Sequence, residues 1–271
     1  MSWIQRRFRI LQKFIGPAVQ RLFELPPLST KIFDQVVVTT YDRYKKLEAV
    51  PMKFIENYVV PGTMVIDVGA HYGYFTTQLS KLTGANGLVV ALEPNQSSQA
   101  VLRRRVSRRG LNNVKIYSFA AWSSSTKIHF IADGPLGVTS HVATANDGGG
   151  LLVEGRSIDE IVRDNQAIRV SFIKVDVEGA EIEVLRGSHE TLLYHRPTIL
   201  CEIGSEYGII STRHLEELFE ILSGVNYECR SFSTQSLLTK ESLTVHLRDL
   251  RYLDVVLSPA SKVTAHRAGP L

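Results

Sequence analysis

From Met64 onward, short runs of β-branched and apolar residues take turns with stretches whose apolar side chains recur every three to four positions. Met64-Val65-Ile66, Leu88 to Leu92, Val114 to Phe119, Val170 to Val175 and Thr198 to Ile203 read as strands. Between them lie a helix striped by Phe75, Leu79 and Leu82, another from about Gln96 to Arg109 with Val101, Leu102 and Val106 inward, and a third from Glu181 to Arg186 closed by Gly187. Strands separated by helices return to the sheet in the same direction, which predicts a mostly parallel sheet covered on both faces. Such sheets bind ligands outside the carboxyl ends of their strands, so the chemistry is expected there.

The rest of the chain fits around this core. An apolar helix spans about Phe54 to Val59. Leu215, Leu218, Phe219 and Leu222 stripe a late helix ended by Gly224, and Tyr227 to Arg230 and Tyr252 to Leu257 read as the last strands. The region from Ala120 through Gly148-Gly149-Gly150 is polar, with short apolar pieces suited to a hairpin over the sheet, and it is expected to meet the substrate. Ser157-Ile158-Asp159-Glu160 has the pattern of a capped helix start.

A chain of 271 residues, 44% of them hydrophobic, fills one large α/β domain with a modest extension. The boundaries expected are an N-terminal helical extension over 1–47, a catalytic domain over 48–258 and a polar, disordered tail over 259–271. A net charge of +4 is too small to imply nucleic acid, and none is expected as a partner. Arg6, Arg7, Arg9, Lys13 and Arg21 share the first 23 residues with an apolar stripe of Ile4, Phe8, Leu11, Ile15 and Leu22, broken at Gly16-Pro17. That stretch is too polar to span a bilayer and reads as a lid or packing helix, with weak contact at a membrane surface as the alternative. A cytoplasmic protein, at most peripheral to a membrane, is expected. Cys201 and Cys229 read as buried thiols on adjacent strands, and no Cys/His cluster has metal-ligand spacing, so no metal is expected. The arginines at 103, 104, 105, 108 and 109 read as the solvated face of their helix.

The ends of strands one to five carry the chemistry. The first runs Val65-Ile66-Asp67-Val68-Gly69-Ala70-His71-Tyr72-Gly73-Tyr74, where glycines permit a tight turn and the following helix offers free N–H groups to an anion. Asp67 would repel a pyrophosphate but suits a ligand bearing an ammonium group. Twenty residues after Gly73 the second strand ends in Glu93-Pro94-Asn95, a carboxylate placed to accept both hydroxyls of a ribose. Phe119-Ala120-Ala121-Trp122 supplies small and aromatic groups able to wall an adenine. The fourth strand ends in Asp176-Val177-Glu178-Gly179 and the fifth in Glu202, three acids at one sheet edge that suit a general base, a hydroxyl acceptor or a hard-metal ligand.

With VIDVGAHYG, ALEPN, SIDEIV and IKVDVEGAEIEVLRG in place, the chain resembles the FkbM family of class I methyltransferases over about residues 62 to 204, and DVEGAE is the most specific of these stretches. The resemblance implies a Rossmann-like, seven-stranded sheet, S-adenosyl-L-methionine as cofactor, and a hydroxyl on a sugar, glycolipid or natural product as acceptor. It places Asp67, Gly69 and Gly73 in the cofactor loop, Glu93 at the ribose, and Asp176 with Glu178 near the reacting centre; from their positions beside these, Ala70, His71 and Tyr74 in the loop, Pro94 and Asn95 next to Glu93, and Ala120 and Ala121 against the adenine are also expected to line the cofactor site. Asp176 is expected to touch the cofactor as well, and one of Asp176, Glu178 and Glu202 to serve as the catalytic base or orienter. His71 stands where family members often have asparagine and reads as a hydrogen-bonding partner rather than a base.

Two other classes share parts of this pattern. A nicotinamide-dependent oxidoreductase has the sheet and the ribose acid but wants a second loop glycine where Ala70-His71 stands. A non-catalytic cofactor-binding module would bind the nucleoside without turnover. His189-Glu190 hints at a zinc protease, but Leu193 occupies the position of its second histidine.

Overall fold

The computed structural model describes residues 38–39, 41–43, 52–131, 141–142, 150–167, 169–204, 212–250 and 252–260. In chain order its elements begin α1 (Met52–Glu56), β1 (Met64–Val68), α2 (Tyr74–Thr83), β2 (Leu88–Leu92), α3 (Gln96–Arg108), β3 (Val114–Tyr117), β4 (Ala120–Ala121), β5 (Thr126–Ile131) and β6 (His141–Val142). They continue β7 (Leu151–Arg156), α4 (Ile158–Asp164), β8 (Val170–Val175), α5 (Glu181–Arg186), α6 (His189–Tyr194), β9 (Thr198–Gly204), α7 (Thr212–Gly224), β10 (Tyr227–Ser231), α8 (Lys240–Leu250) and β11 (Tyr252–Pro259). Residues 38–39 and 41–43 are also helical.

Seven strands form one sheet in the order β10-β11-β9-β8-β1-β2-β3. The five from β9 to β3 are parallel, and β11 enters antiparallel between β9 and β10. Every residue of β1 and β8 is buried, as befits central strands covered on both faces. Alternation divides their side chains. Met64, Ile66 and Val68 join Ile173, Ile199, Leu185 and Leu218 on one face, while Val65 joins Phe172, Leu200 and Leu79 on the other. Asp67 and Lys174 follow Val65 and Phe172 in this alternation and lie side by side in the strand register, on the face covered by α2.

The stretch expected to form a hairpin is a four-stranded sheet, β4-β7-β5-β6, because β7 pairs on both edges, antiparallel with β5 and parallel with β4. Ala120 and Ala121 therefore pair with Gly155 and Arg156 instead of ending the third strand, which stops at Tyr117. Ser157 caps α4 through the expected reciprocal bonds with Glu160.

Several expectations are corrected. Cys201 and Cys229 are both buried and free, but β11 separates their strands. The last strand reaches Pro259, which still pairs with Tyr227, two residues beyond the expected Leu257. Two helices, α6 and α8, went unread. Arg105 points inward and is 4% exposed, unlike its exposed neighbours Arg103, Arg104, Arg108 and Arg109. The basic stretch over 1–23, Gly148-Gly149 and residues 261–271 lie outside the described residues. Among the described residues no helix is long and apolar enough to cross a membrane.

Candidate active site at the strand tips

At the end of β1, Asp67 is 1% exposed. Its Oδ2 accepts a 2.5 Å hydrogen bond from Thr76 Oγ1 on α2, and its Oδ1 is buried with no hydrogen-bond partner among the described residues. Burial raises its pKa, and the neighbouring Lys174 ammonium opposes that rise. Lys174 is buried too, with Nζ 2.8 Å from Asp176 Oδ2 and 4.7 Å from the centre of the Phe75 ring. An anion, a cation and a second anion thus line one face of the tips of β1 and β8, which offsets the cost of placing them there.

The loop after β1 needs its glycines. Gly69 has φ +77, and a Cβ there would lie 1.9 Å from the carbonyl oxygen of Asp176; Gly73 has φ +78, and a Cβ would lie 2.4 Å from Leu102 Cδ1. Both positions require the left-handed conformation and a close approach, which only glycine meets without strain. The turn folds back on β2: the N–H groups of Gly69 and Ala70 donate to the carbonyl of Leu92, and that of His71 donates to Glu93 Oε2 at 2.7 Å. The backbone of His71, at φ 47, makes this bond, while its ring lies against Tyr72 with centroids 3.8 Å apart.

Glu93 also accepts the Asn95 N–H on Oε1 at 2.8 Å. Each carboxylate oxygen keeps a further lone pair for a ligand hydroxyl. Glu93 is 5% exposed. Desolvation outweighs its two backbone hydrogen bonds and pushes its pKa up to about 7. The Asn95 side chain is committed elsewhere, capping α3 by accepting from the N–H groups of Ser97 and Ser98, a contact worth about 1 kcal/mol. Pro94 lies between the two, half-buried, and Tyr74 is buried at the start of α2, edge-on to Phe75.

Asp176, Glu178 and Glu202 are brought together at the sheet's carboxyl edge, each half-buried and each with a carboxylate oxygen within 4.8 Å of those of the others. Asp176 donates its N–H to the carbonyl of Val68 and so abuts the Gly69 turn. Glu178 has φ 52 and Gly179 φ 105, so the chain bends sharply between the acids and α5. Glu181 fastens this bend, its Oε1 accepting the Gly179 N–H at 2.9 Å. It is 2% exposed, and burial pushes its pKa up to about 8.

The first two strand tips and the acidic edge therefore adjoin. Ala120 and Ala121 sit apart from them in secondary-structure terms, on β4 of the smaller sheet. Sequence reading missed Thr76, Lys174, Glu181 and Arg105. For Lys174 the signal was present, since it stands two residues before Asp176 on a strand and therefore on the same face.

An open, mostly parallel sheet with a glycine turn after one central strand and an acid at the tip of the next is a Rossmann-like, nucleoside-binding arrangement. Residues 67–229 match the family model described as the methyltransferase FkbM domain, and the chain belongs to this family. A search of curated proteins gives no match. Among solved structures, a methyltransferase FkbM from Methylobacillus flagellatus KT is 17% identical, aligned over 91% of this chain and 59% of its own, with a TM-score of 0.46. A SAM-dependent methyltransferase from Aquifex aeolicus is 14% identical over 83% of this chain and 97% of its own, TM-score 0.43. Aeropyrum pernix fibrillarin, solved with natively bound S-adenosyl-L-methionine, is 14% identical over 74% and 67%, TM-score 0.43. This chain thus spans 59% of the length of the Methylobacillus protein.

S-adenosylmethionine is the methyl donor that family membership implies, and the residues present fit it. Two glycines at positive φ leave the loop backbone bare, Glu93 has lone pairs for ribose hydroxyls, and Asp67 Oδ1 is a buried acceptor without a partner among the described residues.

Proposed function

We propose that this chain is an S-adenosylmethionine-dependent O-methyltransferase acting on a hydroxyl of a small molecule or glycan, such as a sugar, glycolipid or natural product. The observation that carries this reading is the junction of two sites. The Gly69 turn, where the nucleoside would lie, rests directly on the backbone of Asp176, whose carboxylate gathers with those of Glu178 and Glu202.

When bound, the cofactor supplies an electrophilic methyl carbon on a sulfonium. The chain's task is alignment and proton removal. Glu93 holds the ribose, and the loop from Gly69 to Gly73 seats the rest of the nucleoside. An alcohol attacks poorly unless its proton is accepted as the new bond forms. Asp176 is the first choice to accept or orient that hydroxyl, since Lys174 pins its Oδ2 beside the cofactor loop; Glu178 and then Glu202 follow. Nucleic acid has no part in this reading.

Incubation with S-adenosylmethionine labelled on the methyl group, together with host extract, followed by mass spectrometry of the labelled product, tests it. A label on a hydroxyl oxygen is expected, and a label on nitrogen overturns the O-methyl assignment. Asp176→Asn and Glu178→Gln are each expected to lower turnover at least tenfold while still binding S-adenosylhomocysteine. Wild-type turnover in both would remove these acids from the mechanism.

A further inference from the structure

We propose that the segment upstream of the first strand, through Tyr41 and Asp42, belongs to the nucleoside site and positions the ribose-binding carboxylate Glu93. The proposal rests on the reading that Glu93 holds the ribose. Neither Tyr41 nor Asp42 falls within the family-model match, which begins at residue 67.

The starting point is Arg105. Its side chain is 3% exposed on a helix whose other arginines face solvent. A buried guanidinium persists only where partners replace its water. Arg105 has two, on two different segments. Nη2 donates to both oxygens of Asp42, at 2.8 and 2.7 Å, and Nη1 donates to the backbone carbonyl of Tyr72 at 3.0 Å. The planar guanidinium thus ties the upstream segment to the middle of the cofactor loop in a fixed geometry, which a lysine could not reproduce. Asp42 is itself 22% exposed, so the pair is sealed on the arginine side.

Tyr41 makes the second tie. Its ring centroid lies 4.8 Å from that of His71 and 5.3 Å from that of Tyr72, the latter edge-on. Tyr41 therefore packs against both His71 and Tyr72, while Arg105 holds the Tyr72 carbonyl. Among the described residues, the His71 N–H is one of two backbone donors to the Glu93 carboxylate. A chain of direct contacts runs from Asp42 through Arg105 and Tyr72 to His71 and then to Glu93. Tyr41 reaches His71 without intermediates. Freeing the loop from the upstream segment would loosen the N–H that aims Glu93, and with it the preference for a ligand bearing ribose hydroxyls. Tyr41 and Asp42 are on this account positioning residues.

Calorimetric titration with S-adenosylhomocysteine and with its 2′-deoxy analogue tests the proposal on the full chain. Wild type is expected to bind the ribose form about tenfold more tightly than the deoxy form, the worth of one hydrogen bond to a charged group. Asp42→Asn is expected to weaken binding of S-adenosylhomocysteine about tenfold and to shrink that preference to about twofold; Asp42→Glu should restore both. Tyr41→Ala reads the same two quantities by a route that leaves the Arg105 ion pair intact. Unchanged affinity in Asp42→Asn and Tyr41→Ala, or weaker binding with the ribose preference intact, would overturn the proposal alone. Failure of the wild type to bind either compound would bring down the assignment of Glu93 as well.

Discussion

Glu93 shows how much burial can outweigh at a single residue. Two backbone N–H groups donate to its carboxylate, yet desolvation still places its pKa at about 7. A ribose prefers the ionised acceptor, so affinity for S-adenosylhomocysteine is expected to rise with pH and to level off above about 7. Below that point it should fall toward tenfold per pH unit. Calorimetry from pH 5.5 to 8.5 reads this directly, and Glu93→Gln should give weak binding without the slope. Glu181 presents the complementary case, with its pKa pushed from 4.5 to about 8. The folded chain keeps that proton longer than the unfolded chain does, so stability contributed at this site declines as pH climbs from about 4.5 to about 8. Glu181→Gln retains an oxygen for the Gly179 N–H and removes the buried charge. It is expected to leave stability unchanged near pH 5 and to raise it on the order of 1–3 kcal/mol near pH 8, measured by urea melts at the two pH values.

At the scale of elements, the glycine turn after β1 is where the cofactor loop and the acidic edge touch. Gly69→Ala would need φ +77 and would drive its Cβ into the Asp176 carbonyl. It should abolish S-adenosylhomocysteine binding or prevent soluble expression. Gly84→Ala is the control, with φ +71 but open space around it. With ψ 178 as well, that position is one glycine alone adopts readily, so the change is expected to cost about 1–3 kcal/mol and to spare binding. The elements that make this turn were legible because their signals are local. Continuous apolar runs mark β1, β2, β8 and β9, and Ser157 with Glu160 marks the start of α4. What stayed hidden depends on partners distant in sequence. Arg105 looked like its four arginine neighbours, since the partners that make its burial tolerable, Asp42 and the Tyr72 carbonyl, lie 63 and 33 residues away. Among the described side chains of helix α8 just Leu243 is fully buried, too thin a stripe to read. Cys201 and Cys229 looked like neighbours until β11, arriving later in the chain, took the place between their strands.

Across the whole molecule, the parallel part of the sheet gathers at one edge residues that the sequence scatters from Asp67 to Glu202. Asp67 and Glu93 end adjacent strands, Asp176 and Glu178 end the strand on the other side of β1, and Glu202 ends the next. Sheet order alone makes these neighbours, and the helical segment around Asp42 adds a contact from outside the sheet. The central claim is that a nucleoside lies across the first two of these tips with its sugar on Glu93. A crystal structure of the protein grown with S-adenosylhomocysteine tests it most directly. The account predicts both ribose hydroxyls within hydrogen-bonding distance of the Glu93 carboxylate, with the nucleoside against the Gly69–Gly73 backbone. Ligand bound elsewhere, or at these tips with its ribose turned away from Glu93, would contradict it.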